Sequence, residues 1–144
     1  MQRVVNGFWE VKILLFGFGF SLAWELLQSP FYADTFEASW DTIIYNRIHC
    51  SVGDVMILLS AFWIVALVWG RSWISQPAWT PFVSFLVIGL AYTAFSEYRN
   101  VQVLQRWAYS EWMPLIQGIG VFPLLQWIVI PTAVVGVVRK ANGK

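Results

Sequence analysis

The sequence predicts an all-α polytopic membrane protein, a compact bundle of four transmembrane helices forming one domain over residues 1–144. Three observations predict it. Hydrophobic residues make up 58% of the chain and charged residues only 12%, about half the charged share of an ordinary globular protein, so the folded chain has lipid as its solvent. Four apolar stretches are joined by short polar connections, and about 20 residues for each crossing use most of the length. The charges, which sum to only +1, fall unequally on alternate connections. This leaves no room for a separate soluble domain or nucleotide-binding fold, and so small a net charge provides no footprint for nucleic acid.

The first span is expected over residues 10–31. Its apolar run, Ile13 to Leu27, follows Arg3 and Lys12, lacks a small-x-small cleavage site and carries Trp24 and Glu25 before Pro30, so it reads as a retained helix rather than a signal peptide. The second, residues 55–74, begins with Val55. Ser51 and Asp54, three positions apart, have the spacing of a helix start, the hydroxyl accepting from free amides and the carboxylate facing the positive helix end. The third span is expected over 79–97. The fourth, 112–138, contains Pro114, Pro123 and Pro131 and reads as a kinked packing element rather than a gate. One cysteine, Cys50, excludes an intrachain disulfide and a CxxC pair. Walker, dinucleotide and HExxH motifs are missing from the sequence, and no cofactor is expected.

Four crossings put both termini and the connection at Arg71 on one side, with Arg3, Lys12, Arg71, Arg139, Lys140 and Lys144. The other side has Arg47, Arg99 and Arg106 among Asp34, Glu37, Asp41, Asp54, Glu97 and Glu111. The excess of basic residues predicts cytoplasmic amino and carboxyl termini, in a bacterial host in the inner membrane. Trp9, Trp69, Trp73 and Trp79 would then mark the inner boundary and Trp40, Trp107 and Trp112 the outer one.

Glu25 is the most informative residue. It lies four positions beyond a span centre near Ser21, about 6 Å outward at 1.5 Å per residue, where a lipid-facing carboxylate would be costly. Gln28 extends the same helical side. His49 precedes the second span; its titration near neutral suits acid/base work. One histidine and scattered carboxylates lack zinc-ligand spacing, so no metal site is assigned. Beyond the third span, continued helix would place Thr93, Glu97 and Asn100 on one face and Tyr92, Ser96 and Arg99 on its neighbour. Arg99 is suited to neutralise Glu25 or to hold an anionic head, and Arg106, Tyr109 and Glu111 add polar groups before the fourth span. For each residue the bland role is a packing contact or salt bridge. What carries the functional reading is that residues far apart in sequence map to one outer half.

The stretch from Trp107 to Pro131, WAYSEWMPLIQGIGVFPLLQWIVIP, together with AWELLQSP at 23–30 and HCSVGD at 49–54, resembles a family of small bacterial four-span integral membrane proteins. The resemblance covers nearly the whole chain and implies the architecture alone, with no cofactor, catalytic role or substrate carried over. Two functions fit the residues. One is a membrane-embedded acid/base enzyme acting on a lipid-like or isoprenoid-like substrate. In it Glu25, His49 and Glu97 are catalytic; Arg99, Gln28, Asn100 and Arg106 bind substrate; and Asp54 is structural or part of a proton network. The alternative is a noncatalytic assembly or accessory protein, as a homo-oligomer or in a membrane complex; a transporter component is a third reading, weakened by the lack of a paired half-repeat. The partner in the first case is a membrane lipid or hydrophobic small molecule.

Overall fold

The structure, a computed structural model, describes residues 8–142; Arg3 and Lys144 of the charge argument lie outside them. The order is α1 (Trp9–Gln28), a 3-10 turn (Ser29–Phe31), α2 (Asp34–Glu37), α3 (Trp40–Trp69), a second 3-10 turn (Arg71–Ser75), α4 (Trp79–Glu97), a π turn (Tyr98–Val103), a two-residue hairpin of β1 (Leu115–Ile116) and β2 (Ile119–Gly120), and α5 (Val121–Asn142). The all-α class holds. Among the described residues three helices are long and apolar enough to cross a membrane: Trp40–Trp69, Trp79–Val103 and Val121–Asn142. α1 has 20 residues but carries Glu10, Lys12 and Glu25.

α3 begins at Trp40, well before the expected start at 55. Its buried face repeats as Ile43, Arg47, Ser51, Val55 and Leu58, an i, i+4, i+8, i+12, i+15 stripe whose period is masked because two inward positions are polar. Ser51 therefore sits inside the helix, donating to the Arg47 carbonyl at 2.8 Å, and does not start it. Ser39 instead holds the extended N-cap position, with Asp41 in the first turn. The helix ends at Gly70, whose φ of +76° is open to glycine and costly for side chains bearing Cβ.

α5 starts at Val121 rather than 112. The intervening residues turn back through Gln117 and Gly118, both at positive φ, in a tight hairpin. Pro123 falls in the first helical turn, where a missing amide removes no intrahelical bond. Pro131 lies inside the helix.

The long helices run alternately. Glu10 of α1 pairs with Arg71 at 2.8 Å, Lys12 donates to Asn142 at 3.0 Å, and Arg139 Nε donates to the Ile74 carbonyl at 3.1 Å. One end of the molecule thus gathers the start of α1, the α3–α4 connection and the end of α5. At the other end Tyr32 and Tyr109 form an antiparallel bridge, and Ser110 Oγ donates to the Pro30 carbonyl.

The core lies nearer the first end. Phe62, Trp73 and Phe85 pack in series, ring centroids 5.9 and 5.1 Å apart, against Ile13, Val134 and Val138. Trp73 is buried and donates to the Phe62 carbonyl, and Trp9 is buried as well, whereas Trp40, Trp79 and Trp112 are exposed. Gly89 lets α4 meet α5 closely: a Cβ there would stand 2.3 Å from the Trp127 ring.

Candidate functional site

Helix geometry brings polar groups from three elements to one level. Glu25 and Gln28, three positions apart on the buried side of α1, meet Gln126 from α5, and Gln126 meets Asp54 from α3. Gln28 Nε2 donates to Glu25 Oε1 at 3.0 Å and to Gln126 Oε1 at 3.3 Å. Gln126 Nε2 donates to Asp54 Oδ2 at 2.6 Å, and the Trp24 indole donates to Gln28 Oε1. Each glutamine amide both donates and accepts, so two carboxyls on different helices are joined through it. Glu25, Gln28 and Gln126 are all buried, as a polar group at this depth must be when hydrogen bonds replace water.

A cavity of about 550 Å³ lies beside this network, within the range that holds a drug-sized molecule. Glu25, Gln28, His49, Asp54, Glu97 and Arg106 all line it, which joins most of the residues singled out by the sequence. Farther along α3 and α4 its wall turns apolar through Ile57, Ala61, Ile64 and Ile88. Met56, Ile64 and Tyr92 border the cavity and are also exposed on the outer surface, so it opens sideways between α3 and α4. His49 sits at the rim, exposed and stacked on Tyr45 with centroids 5.7 Å apart, rather than beside the inner carboxyls.

Arg99 and Asn100 stand apart from the cavity. The chain leaves the α period at Tyr98, and Leu104 bonds the Arg99 carbonyl at 2.8 Å, an i→i+5 step. A 3.6-residue projection therefore fails from this point. Arg99 is exposed and forms no ion pair with Glu25. Asn100 is held by Ser96, to whose carbonyl it donates at 2.8 Å.

Arg47 takes the inward position expected of Arg99. Only 4% exposed, it donates through Nε to Ser29 Oγ at 2.7 Å and through Nη2 to Asp34 Oδ1 at 2.6 Å and Thr35 Oγ1 at 3.2 Å, while its guanidinium lies over the Tyr32 ring at 5.7 Å. The α1–α3 connection is thereby tied to α3. On the facing side the Tyr109 hydroxyl donates to Glu97 Oε2, and the buried Trp107 indole nitrogen, near the same carboxyl, has no hydrogen-bond partner among the described residues. Burial first, and then the Glu97 carboxylate, push the Tyr109 phenol above its usual range; the same two causes raise Tyr32.

Gln126, Arg47 and Tyr109 had different visibility. A single amide in the apolar run of 121–138 is a depth signal that the sequence carries. The Ile43, Arg47, Ser51, Val55 spacing is another. Tyr109 carries no such sign, because its partner depends on how the α4–α5 connection folds. Among the described residues no group of three His, Cys, Asp or Glu is placed to hold a metal ion. The arrangement presents carboxyls that exchange protons, amides that orient them, and an apolar wall leading outward. No protein-family model, curated protein or solved structure matches the chain.

Proposed function

We propose that this chain is a membrane-embedded acid/base enzyme for a lipid-like or isoprenoid-like substrate that enters sideways between α3 and α4. The observation that carries this reading is the cavity of about 550 Å³ that joins Glu25, Asp54 and Glu97 to an apolar wall open at Met56, Ile64 and Tyr92. The polar part of an amphiphile has hydrogen-bonding groups at one end and its tail has apolar surface at the other. A protonated carboxyl among the three donates to the substrate while an ionised one removes a proton, which suits isomerisation or hydrolysis. His49 at the rim exchanges protons with water, and Arg106 at the mouth receives a polar head. In this reading α1 is a fourth crossing. The alternating helices and the clustering of Lys12, Arg71, Arg139 and Lys140 at one end support cytoplasmic termini in a bacterial inner membrane.

A noncatalytic assembly protein is the second reading, favoured by one specific observation: the Gln28–Gln126–Asp54 bonds join α1, α5 and α3 without needing chemistry. The two readings separate in a native lipid extract incubated with purified protein and followed by mass spectrometry. Glu25→Gln and Asp54→Asn are expected to stay folded by detergent chromatography and to lower conversion of a lipid species by about 100-fold or more. Unchanged conversion in both folded variants refutes the enzyme; loss of bundle integrity with no conversion by the unaltered protein favours assembly.

A further inference from the structure

The charges around the cavity do not balance. Arg47 is taken by Asp34, and Arg106 lies exposed at the mouth. Glu25, Asp54 and Glu97 have no ion pair among the described residues; their partners are glutamine amides and a phenol. If the two arginines are set against Asp34 and one further carboxyl, two carboxyls remain without a counter-charge. The walls include the aromatic side chains of Tyr92, Trp107 and Trp127, a residue type that attracts organic cations. Thr93, 7% exposed and on the cavity wall, holds a buried Oγ1 with no hydrogen-bond partner among the described residues. Arg99, the cation that would have received an anionic head, is turned away.

We infer that the cavity takes a lipophilic cation, an amine or quaternary onium compound whose positive centre sits among Glu25, Asp54 and Glu97 and whose apolar groups lie along the opening between α3 and α4. This names the substrate class of the site proposed above and rests on that reading of the cavity. A carboxyl in apolar surroundings with no counter-charge retains its proton. When the cation arrives it supplies the counter-charge: one carboxyl O–H bond breaks, the proton leaves to water, and a carboxylate–cation pair remains. The titratable and charged groups that share the cavity with Glu25 are Arg47, His49, Cys50 and Asp54 from α3 and Tyr92 and Glu97 from α4; α5 presents Gln126 and no charge. From the connections come Tyr32, Asp34 and Arg106. The carboxyls give up a proton for the cation, and proton loss from any other of these groups acts in the same direction, so binding tightens as pH rises, by up to about tenfold per unit for a one-proton exchange.

The test uses three probes of similar apolar bulk and different charge, measured by equilibrium dialysis with the full chain in detergent: tetraphenylphosphonium, neutral triphenylphosphine oxide and tetraphenylborate. The expected result is saturable binding of the phosphonium at one per chain, about tenfold or more tighter than either other probe, and tighter at pH 8 than at pH 6. Glu25→Gln and, separately, Asp54→Asn should each weaken it about tenfold, and the probe comparison on the unaltered protein holds whether or not a variant folds. Equal binding of the neutral oxide, preference for the borate, or no saturable binding of the phosphonium overturns the inference. Conversion of a neutral or anionic lipid with the phosphonium unbound overturns it while leaving the acid/base enzyme standing. Selective phosphonium binding with no lipid conversion supports it and removes only the catalytic reading.

Discussion

Replacing Arg47 by Leu and Asp34 by Asn, singly and together, tests whether the connection after α1 is held by a buried ion pair. Removing one partner of such a pair costs about 3–5 kcal/mol when both are buried. Arg47 has a side-chain exposure of 5% but Asp34 of 23%, so the stranded carboxylate recovers some water and Arg47→Leu belongs at the low end, about 3 kcal/mol. Asp34→Asn leaves the guanidinium bonded to Ser29 and Thr35 and weakens the two charge-assisted bonds that the carboxylate accepts from Arg47 and Asn46, about 2 kcal/mol. The double variant is then expected to fall short of the sum by about 1.5 kcal/mol, the coupling of groups in direct contact. Unfolding in mixed micelles, titrated with dodecyl sulfate and followed by circular dichroism, gives the four stabilities. A cost for Arg47→Leu below about 0.5 kcal/mol, the level of an ordinary surface change, refutes the argument, as does additivity of the two variants.

Gly89→Ala should destabilise by about 1–3 kcal/mol, since its Cβ meets the Trp127 ring at 2.3 Å; a thermal midpoint equal to the parent would mean that α4 and α5 separate easily. Cysteines introduced one at a time at Glu111 and Lys140, in a Cys50→Ser background, should react with impermeant maleimide from opposite faces of vesicles, and labelling from one face removes the alternating crossings. Tyr109 and Tyr32 hold their phenol protons more tightly folded than unfolded. Their contribution to stability is therefore complete below the ordinary tyrosine pKa of about 10 and is lost as pH rises through the higher folded value. Unfolding titrations from pH 9 upward should show falling stability, with a shallower fall in Tyr109→Phe; a slope that the substitution leaves unchanged contradicts the assignment for Tyr109.

Composition and apolar length were enough to reveal the helical class and the third helix to its ends, because Trp79–Glu97 has few competing signals. The second helix was foreshortened because Arg47 and Ser51 point inward: a hydrophobicity pattern treats them as loop residues, whereas in the structure they continue the buried stripe. The fourth was drawn too long because Pro114 to Gly120 is nearly as apolar as the helix after it, and the hairpin rests on two positive φ angles that apolarity does not register. In the site, Glu25 was legible from its depth and Gln28 and Glu97 from helical spacing, whereas Asp54 was read with Ser51 as a helix start. His49 came to the rim and Arg99 to the outer face because their directions depend on the continuous α3 and on the π turn, and Arg47 was overlooked for the same reason that the start of α3 was.

The glutamine bridge between Glu25 and Asp54 has a consequence for traffic of protons. A hydroxyl or a water can accept a proton on one side and release another on the other; a primary amide has no comparable low-energy route, since its nitrogen donates and its oxygen accepts without trading places. Gln28 and Gln126 therefore align the two carboxyls while insulating them from each other. One can remain an acid while the other is a base, with no levelling of the difference along the bridge, and a titratable side chain in place of Gln126 would short-circuit that separation.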